Sequence, residues 1–202
     1  VILADAGMLP PADLNTLKTF VERGGLLIRF AGPRLSAQAD ELTPTPLRGM
    51  RALNSAMGWG AQGIAPFDVS SPFSGLAPAQ DIKINSVALA QPAPDLADKT
   101  WARLADGAPL VTAAARGKGM IVLYHVTAGP AWSDLPLTGL YVDMLRRTIA
   151  LAGAAQGGAA NFSGGYYEPD RVLDGFGALK DPTGEVRPVP AADWAKIKPG
   201  PG

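Results

Sequence analysis

A chain of 202 residues, 47% of them hydrophobic, is long enough for one large domain or for one domain with an appendage. Its 18 basic and 18 acidic residues cancel, 13 against 12 in residues 1–150 and 5 against 6 in 151–202, so no basic arm selects nucleic acid or an anionic membrane. Without cysteine it has no disulfide, thiolate metal site or cysteine nucleophile, and no apolar run reaches the ~18 residues that span a bilayer.

Val1–Asp5 reads as a buried strand. Because the chain opens inside this strand with Val1, and no signal peptide is visible, it reads as a piece of a longer polypeptide. Pro10-Pro11 opens a helix over 11–23, with Leu14, Leu17, Phe20 and Val21 at helical spacing and Gly24 as its C-cap glycine. Leu26–Phe30 is the next strand, broken by Gly32-Pro33. Strand, helix and strand with tight links form the unit of a parallel sheet with helices on both faces.

Residues 31–99 are rich in proline, with strand-like pieces at Arg48–Leu53 and Ile82–Ala90. In the second piece Ile82, Ile84 and Val87 share a buried face, with a slip near Asn85-Ser86. Two hairpins follow. One joins Trp101–Leu104 to Pro109–Ala113 through Asp106-Gly107. The other joins Ala114-Ala115 to Met120–Val126 through Arg116-Gly117-Lys118-Gly119. The pattern predicts a helix over 134–152, capped by Ser133 or Asp134. Its apolar stripe is Leu137, Leu140, Tyr141, Met144, Leu145 and Thr148. Arg146 and Arg147 sit toward its C-terminal end, where positive charge complements the dipole. Residues 153–165 are an Ala/Gly-rich linker, and Gly175–Val189 reads as a hairpin around Asp181-Pro182-Thr183-Gly184. The organisation is therefore an α/β domain over 1–152 and a Gly/Pro-rich extension over 153–202, packed on it through Tyr166, Tyr167, Phe176 and Trp194.

Few residues offer chemistry. Gly58-Trp59-Gly60-Ala61-Gln62-Gly63 fits G-x-G-x-x-G, but Pro66 follows and no helical period does, so a plain loop is expected and no cofactor. His125 is the only histidine, which argues against a zinc site. On its strand it shares a face with Ile121 and Leu123, as a hydrogen-bonded core residue, a catalytic relic or a general base. Ser133 lies eight residues beyond, as a cap or as a hydroxyl approaching His125 with Asp134 or Asp106 behind it; no G-x-S-x-G occurs. Arg29, Arg34, Arg48 and Arg51 form an anion site if they converge and a solvated scatter if they do not. Trp59, Phe67, Phe73, Trp101 and Trp132 line a groove or plug loops over the core.

The segment VILADAGMLPPADLNTLKTFVERGGLLIRFAGPR resembles the class I glutamine amidotransferase-like fold, in the variety found as the middle domain of some bacterial β-galactosidases. ARGKGMIVLYHVTAGPAWSDLPLTGLYVDMLRR is similar to the closing strand, loop and last helix of that fold. FVERGGLLIRFAGPRL, LADGAPLV and AWSDLPLTGLYVDMLRR also resemble uncharacterised bacterial membrane proteins that combine a BatA-like aerotolerance-regulator module with such a domain. The resemblance covers most of residues 1–152 and is weaker through 31–99.

It implies a flavodoxin-like three-layer sandwich with a mostly parallel central sheet, plus the C-terminal appendage with its hairpin. It implies a Cys–His–Glu site with the cysteine in the elbow after Leu26–Phe30. Here Ala31-Gly32-Pro33 stands in that elbow, His125 takes the histidine position, and Thr127 stands where the glutamate belongs. Ala31, Gly32 and His125 are thus a vestigial site and no catalytic residue is expected.

The resulting expectation is a non-catalytic scaffold or interaction domain of a bacterial inner-membrane protein, periplasmic in preference. Its partners are other domains of the same polypeptide or envelope proteins, with no nucleic acid and no membrane insertion by this part. The alternative is a small-molecule-binding or hydrolytic domain with its site at the C-terminal ends of strands 1–5, 26–30 and 120–126.

Overall fold

The computed structural model describes residues 1–53, 60–78 and 81–155, with the backbone of 166–167, 172–173, 179–180 and 189–190. It divides into two units, Val1–Gln156 and Gly157–Gly202.

The first unit is a mixed α/β fold around a five-stranded sheet. Strands β1 (Ile2–Ala4) and β2 (Leu26–Phe30) are parallel, and β2 is parallel to β7 (Gly119–Tyr124). Beyond β7 lie β6 (Pro109–Arg116) and β5 (Thr100–Arg103), each antiparallel to its neighbour. Four strands therefore run one way and only β6 opposes them, because both of its connections are tight turns. Strands β3 (Leu47–Ala52) and β4 (Ser86–Ala90) form a separate antiparallel ribbon.

Both faces of β2 are covered, which is why its five residues are all buried and read as an unbroken apolar run. Leu26, Ile28 and Phe30 face a core shared with Val122, Tyr124 and Met144 of helix α4 (Gly139–Ala155). Leu27 faces the other way, with Ile121 and Val21, against α1 (Pro11–Glu22), on which Leu14, Leu17 and Phe20 pack. The period of two sorts β7 in the same manner. Among the described aromatics, Phe73 is fully buried and meets the edges of Phe67 and Trp101 at 5.6 and 6.0 Å, so these rings plug a loop over the core. Trp132 is buried beside Leu35 and Ala31; Trp59 lies outside the described residues.

Two glycine motifs meet in space. Helix α1 ends with Gly24 at φ 114°, its N–H donating to the Val21 carbonyl while that of Gly25 reaches Phe20 (both 2.9 Å), a Schellman closure. The β6–β7 turn abuts this end: Lys118 N–H donates to the Glu22 carbonyl and Met120 N–H to that of Gly25. A Cβ on Gly119 would overlap the Val21 and Gly25 backbones, and one on Gly25 the Phe20 ring. The Gly-Gly and Gly-Lys-Gly passages are thus an interlocking joint that fixes β2 against β7.

Several local expectations change. β1 is an edge strand, with Val1 and Ile2 half-exposed, because only β2 pairs with it. The helix expected from 134 begins at Gly139. Leu135–Leu137 winds instead into a 3-10 turn, where Leu137 is exposed, and the Thr138 hydroxyl accepts the Tyr141 N–H. Neither Ser133 nor Asp134 caps through its side chain. Met144 and Thr148 are buried as the stripe requires, and Arg147 clasps the Pro72 and Ser74 carbonyls at 3.0 and 2.6 Å. The slip near Asn85-Ser86 is real: both N–H groups donate to the Trp132 carbonyl, at 2.8 and 3.1 Å, as at a β-bulge.

In the second unit, β8 (Tyr166–Tyr167) pairs with β11 (Val189–Pro190), and β9 (Val172–Leu173) with β10 (Leu179–Lys180), both antiparallel. Lys180 thus pairs back toward Val172 rather than forward across Asp181–Gly184. That turn, like Phe176 and Trp194, lies outside the described residues.

Candidate functional site

The parallel register Phe30–Tyr124 brings Ala31 and His125 side by side where β2 and β7 end, and Ala31 N–H donates to the Tyr124 carbonyl at 2.8 Å. Ala31, Gly32 and His125 therefore gather at the carboxyl edge of the sheet, as the sequence suggests.

The elbow itself is filled. Ala31 is fully buried among Leu35, Ala88, Leu123 and Trp132. Gly32 opens a short helix, α2 (Pro33–Ala37), and has no side chain to cap it. Asp5, at the end of β1, caps it instead: its Oδ1 accepts the Arg34 and Leu35 N–H groups at 2.9 and 3.0 Å. Asp5 holds φ at 47° to do so, in the left-handed region that Asp tolerates better than most residues. A Cβ on Gly32 would overlap the Asp5 side chain, so any nucleophile there would have to displace this cap.

His125 is fully buried. Its Nδ1 lies 2.8 Å from the Ala88 carbonyl and its Nε2 3.0 Å from Thr112 Oγ1. A carbonyl only accepts, so Nδ1 carries the proton, and Nε2 accepts the Thr112 hydroxyl. Burial lowers its pKa to about 4, the Ala88 bond pulling weakly the other way, and the ring is neutral. Its backbone is equally engaged, donating to Leu110 and accepting from Ala88, both at 2.8 Å. Thr112 and His125 stand at a nucleophile–base distance, but both are sealed from solvent and a carbonyl replaces the third, acidic member.

The other groupings dissolve. Neither ring nitrogen bonds Ser133, whose buried Oγ has no partner among the described residues. Asp106 pairs with Arg51, and Thr127 bonds Gly129 and Trp132 within its own loop. The G-x-G-x-x-G motif leads into no helix. Gln62 exchanges backbone bonds with Ile84 and Ile64 bridges Leu104, while Gly58 and Trp59 lie outside the described residues. No cluster of three or more His, Cys, Asp or Glu among the described residues could hold a metal ion.

The four arginines do not form one site. Arg29 is fully buried in β2, where its guanidinium pairs with Asp40 at 2.5 Å and donates to the carbonyls of Leu42 at 3.1 Å and Ala6 at 2.6 Å. It ties together the loops after β1 and α2. The sequence carried a signal for this: an arginine inside an apolar five-residue strand needs a buried carboxylate. Arg34 is exposed on α2. Arg48 and Arg51 line a common cleft.

No family model matches the chain, and no curated protein does. Among solved structures it is similar to the cytoplasmic protein STM3548 from Salmonella typhimurium, with a TM-score of 0.57 at 14% identity over 74% of this chain and 70% of that one. It is also similar to the cytoplasmic protein STM1381 from Salmonella typhimurium LT2, with a TM-score of 0.52 at 12% identity over 76% and 69%. At these identities the likeness concerns the fold alone. No helix among the described residues is long and apolar enough to cross a membrane.

Proposed function

We propose that this chain is a non-catalytic scaffold or interaction domain built on a class I glutamine amidotransferase-like, flavodoxin-like fold. It serves a larger bacterial membrane-associated protein, packs against that protein's other domains or envelope partners, and carries residues 153–202 as an extension. The observation that carries this reading is the Asp5 carboxylate standing where an elbow nucleophile would need room, together with a neutral, sealed His125 at the end of β7. The sequence resemblance supports the fold assignment, and helices on both faces of a sheet with four co-directional strands are consistent with it.

The reading is tested with a fluorophosphonate probe, which captures an activated hydroxyl. The folded chain, followed by intact mass, is expected to gain no time-dependent single adduct. A stoichiometric adduct on Ser133 or Thr112, abolished by prior unfolding, would establish an activated nucleophile and overturn it. A second reading, small-molecule binding at the carboxyl edge of the sheet, is favoured by the cleft at Arg48 and Arg51, near the turn after β5.

A further inference from the structure

The β3–β4 ribbon, the short helix α3 (Leu96–Lys99) and the β5–β6 turn enclose a cleft of about 300 Å³. Its charged lining is Arg48, Arg51 and Asp106, one net positive charge. Asp106 is fully used: Oδ1 accepts the Ala108 N–H at 3.0 Å and Oδ2 pairs with one terminal nitrogen of Arg51. Arg51 is only partly used. Its Nε–H is shielded from solvent and bonds nothing among the described residues. Arg48, three residues earlier on the same strand, has no ion pair or hydrogen bond among them either. An irregularity in the β3–β4 register between Leu47 and Met50 accompanies its place in the same cleft. The rest of the lining is apolar, with Leu89, Pro92 and Leu96 prominent.

Two guanidinium groups against one carboxylate leave the cleft short of negative charge, and Arg48, exposed and without a partner among the described residues, favours an anionic acceptor. The apolar remainder is poorly suited to a strongly hydrated inorganic anion. The volume is at the small end of the range for small-molecule sites. We propose that this cleft binds a small organic carboxylate. The carboxylate sits on Arg48 and the part-exposed guanidinium of Arg51, and a short branched or aromatic body lies against Leu89, Pro92 and Leu96. The inference requires no catalysis, so it stands or falls apart from the fate of the elbow.

The test is titration of the full chain with isovalerate, benzoate and inorganic phosphate, followed by ¹⁵N–¹H spectra that include arginine Nε–H signals. The expected result is a saturable shift of Arg51 Nε–H and of the Gly107 and Ala108 amides with either organic acid, and none that saturates with phosphate. Arg48→Gln, at an exposed position that leaves folding intact, is expected to weaken binding about tenfold, the worth of one charge-assisted hydrogen bond. Three results would overturn the proposal: no saturable shift with either acid, equal shifts with phosphate (an adventitious ion only), or unchanged affinity in Arg48→Gln.

Discussion

Replacing Asp40 by alanine is expected to destabilise the first unit by about 3–5 kcal/mol, read as a fall in the urea midpoint at constant slope. The Asp40 carboxylate is 4% exposed and its partner Arg29 is wholly buried. Alanine would leave the guanidinium with carbonyls alone, and it would also remove the Asp40 bond to the Leu42 N–H at 2.9 Å. An arginine keeps its charge under all ordinary conditions, so it cannot relieve the penalty by losing a proton. The double variant Arg29→Met, Asp40→Ala should recover much of the loss, because the desolvation cost then disappears with both charges. A loss below about 1 kcal/mol in Asp40→Ala, the range of an exposed pair, would show that water reaches it.

Acid should destabilise the same unit through His125. Its folded pKa, about 4, lies below the value near 6.5 of an unfolded histidine. Between these values the unfolded chain binds the extra proton and the folded one does not. Its contribution is therefore fully present above pH ~6.5 and is lost as pH falls toward 4, about 3 kcal/mol in all and about 2 kcal/mol of it by pH 5. Denaturation at pH ~7.5 and ~5 should show this loss, and His125→Asn, which keeps a donor for the Ala88 carbonyl, should flatten it. An equal slope in the variant would assign the acid sensitivity to other groups.

How much of this could be read from the sequence depended on how local each cause was. Helix α1, strand β2 and strand β7 follow from the spacing of Leu14, Leu17 and Phe20, from Gly24, and from unbroken apolar runs. The antiparallel β6 follows from Asp106-Gly107 and Gly117, turn residues that bracket it; both glycines have positive φ. The start of α4 misled because Ser133 and Asp134 are both good cap residues, whereas it is the Thr138 hydroxyl that caps the helix.

Non-local partners were beyond reach. Nothing near Gly32 in the chain announces that Asp5, on another strand, caps α2. Likewise the Ala88 carbonyl that fixes the His125 tautomer is 37 residues away. Ala31, Gly32 and His125 could be placed together because they lie at the ends of neighbouring parallel strands, a matter of topology. That they are packed shut is a matter of tertiary detail. Arg48 and Arg51 were visible as charges, but their shared cleft depends on the β5–β6 turn and α3.

The measurement that bears most directly on a non-catalytic domain is turnover: release of ammonia from glutamine, with a panel of ester and amide substrates, by wild type and by a folded His125→Asn variant. With Ala31 buried, Gly32 occluded by Asp5 and His125 neutral and sealed, both proteins should give the same background rates. Turnover in the wild type that is lost in the variant, with folding unchanged, would contradict the account and make His125 a working base.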